Sequence, residues 1–144
     1  MAIYGAGSNW GGKEIRQTLF DNNNYLIGWD IANAEDLYTL ISSIRVGDII
    51  YLKSNRPGSL NLRIKGIGFV THSLMQSLFE TETDLSSRRT NFELPVNWVY
   101  RNEYTISIPP DTGKLTNIRA ATLYEEYMPF VQDNILKTIF GMIN

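Results

Sequence analysis

Two apolar runs joined by a short polar loop constrain this chain most. The first, Val46-Gly47-Asp48-Ile49-Ile50-Tyr51-Leu52-Lys53-Ser54, opens on a Gly-Asp turn and closes on a polar pair. The second, Ile64-Lys65-Gly66-Ile67-Gly68-Phe69-Val70, carries two glycines among apolar side chains. Apolar, largely β-branched residues bounded by turn chemistry predict two adjacent strands, over 48–54 and 61–71. Asn55-Arg56-Pro57-Gly58-Ser59 between them has strong turn character. On the first strand Ile49, Tyr51 and Lys53 share one face, and Ile50, Leu52 and Ser54 the other. A glycine inside a strand marks a bulge, a tight bend or a close approach to the backbone. Gly66 and Gly68, one residue apart, predict the sharp bend of a small barrel.

The rest of the chain supplies elements to flank that bend. Ala2–Tyr4 and Tyr25–Trp29 read as short strands, and Lys13–Phe20 as a helix after the Gly11-Gly12 break. Leu37, Leu40, Ile41 and Ile44 recur at helical spacing. Asn33 is the expected N-cap of that helix, with Glu35 and Asp36 in its first turn. Ser77–Asn91 is polar and reads as loop. Val96–Tyr100 alternates as a strand, and Glu103–Ile108 is a second short one. Pro109–Gly113 is a break. Beyond about Asn117 the chain reads as helical, over 118–128 and then to about Phe140, divided by Pro129.

A chain of 144 residues with 43% hydrophobic content is sized for one α+β domain with a real core. It contains no cysteine, which excludes disulfides, thiolate catalysis and Cys-based zinc sites. No apolar run reaches membrane-spanning length, and Met1–Trp10 lacks the basic-then-apolar order of a signal peptide. Cytoplasmic residence without membrane contact is the expectation. The net charge of −2 argues against a basic coat protein, but five basic residues against one acid lie between Arg45 and Lys65. Scattered charges on a solvated surface would give the same count.

Candidates for catalysis are few. His72 is the single histidine, and a lone histidine is more often a satisfied surface residue than a base. No histidine pair, His-Glu motif or phosphate-binding glycine loop exists, so neither a metal nor a cofactor is expected. Glu125 and Glu126, pointing to different sides of an expected helix, form no dyad. Asp48 reads as a turn residue. Aromatic and amide side chains are better represented, and these suit a flat ligand. Stacking on an aromatic face contributes about 1–3 kcal/mol per base, and the amide of Asn9 can both donate to and accept from a base edge. Trp10 follows small polar residues, Trp29 precedes Asp30, and Trp98 alternates with Tyr100. Core burial is the competing reading for each tryptophan.

The order Trp10, Trp29, helix, Gly-Asp strand, Gly-x-Gly strand, Trp98 resembles the PUA-like superfamily, and most closely its EVE-type and YTH-type branch. The resemblance covers about residues 1–100. It implies a small bent β-barrel flanked by helices and a non-catalytic role in binding nucleic acid, with a modified base held in an aromatic pocket. Related domains sit in modification-dependent restriction systems, which implies a link to restriction or antiviral defence. Matched residue by residue, Ser8, Asn9 and Ser54 face the ligand. Trp10 and Trp29 would be the stacking walls, with Trp98 a further candidate, and Asp30 a polar reader. Lys53, Arg56, Arg63 and Lys65 are the candidate phosphate contacts. A free nucleotide-like ligand is the first alternative.

The chain departs from the family at Gly7–Gly12, which bears on ligand type, and in its helical extension beyond Thr116. The apolar residues of that extension offer a second alternative, an adaptor docking an effector protein or a second copy of the chain. Packing across the barrel is the plainer account of them.

Overall fold

The computed structural model describes residues 1–29, 31–56, 58–81, 93–110 and 119–143. In chain order the elements are β1 (Ile3–Gly7), β2 (Asn9–Trp10), β3 (Lys13–Glu14), α1 (Arg16–Asn22), β4 (Asn24–Tyr25), a 3-10 turn (Ile31–Asn33), α2 (Glu35–Ser43), β5 (Ile49–Ser54), β6 (Asn61–Val70), α3 (Leu74–Thr81), β7 (Leu94–Tyr100), β8 (Tyr104–Ser107), β9 (Leu123–Glu125) and α4 (Pro129–Gly141). The main sheet runs β4-β7-β6-β5-β1-β9, with β8 also paired to β6. Strand β1 lies parallel to β5, and the other pairings are antiparallel. The sheet is strongly curled into a half-barrel, flanked by helices.

The unbroken apolar run of β5 reflects burial on both faces. Ile50 and Leu52 pack with Leu19, Phe20 and Ile41 beneath α1 and α2. Ile49 and Tyr51 pack with Val131, Ile135 and Ile139, one stripe of α4. The two strand glycines make the bend sterically feasible. A Cβ on Gly66 would lie 2.8 Å from ring carbons of Phe20; one on Gly68 would lie 2.5 Å from Val96 Cγ1 and 2.8 Å from the Asn97 carbonyl. Register shifts between Leu52 and Lys53, and between Ile67 and Gly68, bend the strands at the same level. Asp48 is a turn residue that also anchors β1: its carboxylate accepts the Ala2 N–H at 2.9 Å and the Arg45 N–H at 2.8 Å.

Several elements differ from the expectation. Of the 25–29 region only Tyr25 is strand, in the two-residue β4 paired to β7. Ala34, not Asn33, occupies the N-cap of α2, and no side chain caps it. The polar stretch from Ser77 begins inside α3, and residues 82–91 lie outside the described residues. The helix expected over 118–128 is replaced by β9, which completes the edge beside β1. Pro129 does not divide a helix but starts one, at a position where its missing N–H costs nothing. Among the described residues no helix is long and apolar enough to cross a membrane.

Candidate functional site

At the end of β1 the chain turns into the small β2–β3 hairpin. Its tip, Gly11-Gly12, has φ of +58° and +88°, in the left-handed region that favours glycine. Asn9 Oδ1 accepts the Gly12 N–H at 2.9 Å and fixes the turn. Ser8 is buried, and its hydroxyl donates to Glu14 Oε2 at 2.8 Å. The hairpin thereby holds Trp10 against Gly28. The absent Cβ is what allows this contact, since a Cβ there would sit 2.9 Å from two indole carbons.

A cavity of about 350 Å³ opens beside this hairpin. Its walls include Ser8, Asn9, Trp10, Gly28, Trp29, Lys53, Ser54, Asn55 and Lys65, together with Ala120 and Thr122. The volume lies at the small end of the range for ligand sites. Of the residues singled out in the sequence, Ser8, Asn9, Trp10, Trp29, Lys53, Ser54 and Lys65 therefore meet at one place. Trp29 is 57% exposed, while its carbonyl accepts the Tyr38 hydroxyl at 2.9 Å. Trp10 Nε1 and Asn55 Oδ1 are buried side-chain atoms without a hydrogen-bond partner among the described residues.

The remaining candidates are elsewhere. Trp98 is a core residue, 2% exposed. Its indole donates to the Asn24 carbonyl at 3.0 Å, and its ring meets Phe20 edge-on at 5.5 Å. It does not line the cavity, because its side of β7 faces the α1–α2 core rather than the open end of the sheet. Asp30 lies outside the described residues. Arg56 is exposed and does not line the cavity. Arg63 pairs with Glu103, which also takes Arg16 at 2.8 Å. Those two arginines hold the Glu103 carboxyl below its ordinary range, first through the Arg16 hydrogen bond.

The two lysines are not on an open surface. Lys65 is 3% exposed and bound to Glu14 at 2.8 Å. Lys53 is 8% exposed; its Nζ donates to the Arg119 carbonyl at 2.5 Å and lies 5.5 Å from the centre of the Tyr124 ring. Burial, and then the neighbouring charge of Lys65, lower the Lys53 pKa to about 8.

Behind Lys53 lies a buried network that the sequence did not disclose. Arg119 donates to both oxygens of Glu126, at 3.2 and 3.0 Å. Glu126 also accepts the Tyr51 hydroxyl at 2.7 Å and the Met128 N–H at 3.1 Å. Tyr51 and Tyr124 share a 2.7 Å hydroxyl contact. Burial pushes both tyrosines up. Glu125 and Glu126 thus belong to a strand and its exit, not to a helix, and Glu126 serves to hold the Arg119 main chain beside Lys53. Gly28, Asn55 and Thr122 were also missed. Only Gly28 left a signal, as a glycine next to a tryptophan.

No model of a known protein family matches this chain, and no curated protein sequence is similar to it. Among the described residues no group of three His, Asp or Glu side chains could hold a metal ion.

Proposed function

We propose that this is a PUA-like, EVE-type domain whose cavity holds a nucleobase, and that it is a non-catalytic reader of DNA or RNA. The observation that carries the reading is the convergence of Trp10 and Trp29 with Asn9 and Ser54 on one cavity. Flat walls with a few polar groups suit a flipped or single-stranded base. A modified base is the favoured ligand, since a methyl group filling apolar space discriminates by about 1–3 kcal/mol. Such a reader would direct an effector protein, in keeping with restriction or antiviral defence. The exposed Tyr127, just before α4, and Phe140, in its last turn, are the candidate docking residues.

Titrating tryptophan fluorescence with plain and methylated oligonucleotides, single- and double-stranded, at two salt concentrations tests this. Stronger quenching by a modified strand, weakened by salt, is expected. Absence of quenching by every oligonucleotide overturns it.

One observation favours a second reading, a free nucleotide-like ligand. Lys53 and Lys65 are enclosed within the cavity and Arg63 is paired, so little of the expected phosphate-tracking surface is open. Equal, salt-insensitive binding of a mononucleotide and an oligonucleotide would support it.

A further inference from the structure

The hydrogen-bonding capacity of the cavity is lopsided. Lys53 has three N–H donors and, among the described residues, uses one, on the Arg119 carbonyl. No carboxylate among the described residues lies within ion-pair distance of it. The groups around it are the Lys65 ammonium on β6, the Tyr124 ring on β9 and the Arg119 main chain. Glu14 is committed to Lys65 and Ser8, and Glu126 to Arg119 and Tyr51. Asn9 has spent its carbonyl oxygen on Gly12, which leaves its amide N–H groups. Among the described wall side chains the unused groups are the remaining Lys53 N–H donors, the Asn9 amide N–H groups and Trp10 Nε1–H, against Asn55 Oδ1 as an acceptor, and Lys53 is an ammonium with no carboxylate beside it. A buried ammonium without a counter-ion is costly, and the cost is removed when a bound anion supplies one.

We infer that the cavity selects a ligand that brings an anionic oxygen to Lys53 Nζ. Resting on the base-binding reading above, this makes the ligand a nucleotide whose inward-facing group is an anion, either its phosphate or an acidic substituent on the base. Lys53 is then the residue that determines specificity, and the tryptophans supply the platform.

Calorimetric titration of the full chain with cytidine, cytidine 5′-monophosphate, 5-carboxycytidine and inorganic phosphate tests it, at about pH 7 and about pH 9.5. At least one anionic cytidine should bind about tenfold or more tighter than cytidine at the lower pH. That advantage should shrink at the higher pH, where Lys53, with its pKa of about 8, is largely neutral. It should also vanish in Lys53→Met, with a melting curve checking that the variant folds. If the variant does not fold, the pH comparison on the parent chain decides. A gain confined to the monophosphate places the anion on the phosphate, and one confined to the carboxylated base places it there. Cytidine binding as tightly as both anionic forms overturns the inference and leaves the base reading standing. Binding of phosphate with no added affinity from any base does the reverse. No binding of any of the four overturns both.

Discussion

Replacing Gly28 with alanine should separate the architecture of the cavity from the stability of the fold. Gly28 has no positive φ, so alanine is allowed by the backbone and the effect is purely steric. The new Cβ would start 2.9 Å from indole Cδ2 and Cε2 of Trp10 and 3.0 Å from Nε1. Carbon atoms settle at about 3.5–4.0 Å, so the ring must retreat by about 0.6–1 Å. Trp10 is half-buried on a two-residue strand, so it can swing outward at small cost. The stability loss should be at the low end for overpacking, about 1 kcal/mol, or about 2–4 °C in melting temperature. Ligand affinity should suffer more. Losing one stacking wall removes about 1–3 kcal/mol, a weakening of about 5- to 150-fold. Thermal melts by circular dichroism and fluorescence titration measure the two quantities, and the emission maximum should shift to the red as the indole meets water. An affinity within about twofold of the parent, with unchanged emission, would refute the argument that Gly28 holds Trp10 as a wall.

Three further outcomes follow from the geometry. Glu126→Ala, which strips Arg119 of the carboxylate facing it, should cost about 3–5 kcal/mol in urea unfolding, and adding Arg119→Met should recover a large part of that loss; a double variant no more stable than the single one would contradict this. Stability should rise between about pH 8 and pH 10, because the unfolded chain keeps a proton on Lys53 that the fold holds only below about 8. It should fall above about pH 10, where tyrosines of the unfolded chain ionise but buried Tyr25, Tyr51 and Tyr124 resist; Lys53→Met should lack the rising limb in denaturation curves. Gly68→Ala should destabilise by about 3 kcal/mol, since one of the atoms its Cβ meets is main chain and cannot rotate away; an unchanged melting temperature would show that the bend has slack.

The central bend was legible because Gly66 and Gly68 interrupt a run that otherwise has no reason to contain them. The cavity residues on β2 and β5 were legible as chemical types. What the alternation could not tell is which side of a curled sheet becomes the inside. Lys53 and Lys65 look like strand-end surface charges, yet the curl encloses them. Trp98 alternates as a pocket residue would, yet its face of β7 is the core. The segment ending in Met128 misled for another reason. Ala, Leu, Glu and Met favour helix, but the free edge of β1 offers Leu123–Glu125 a ladder, and tertiary pairing overrides propensity. The Arg119–Glu126 pair, with neither residue inside a regular helix, had no periodicity to announce it.

The position of β1 between β5 and β9 has a consequence for how the protein is made. Strand β1 cannot join the sheet until residue 49 and beyond are available, and its other edge stays bare until residues 123–125 appear. The cavity inherits this schedule, since it is lined by Ala120 and Thr122 as well as by Ser8 and Trp10. Non-local closure of this kind slows folding and leaves strand edges unpaired in the meantime. The cavity therefore cannot form on a nascent chain that still lacks residues 120–125.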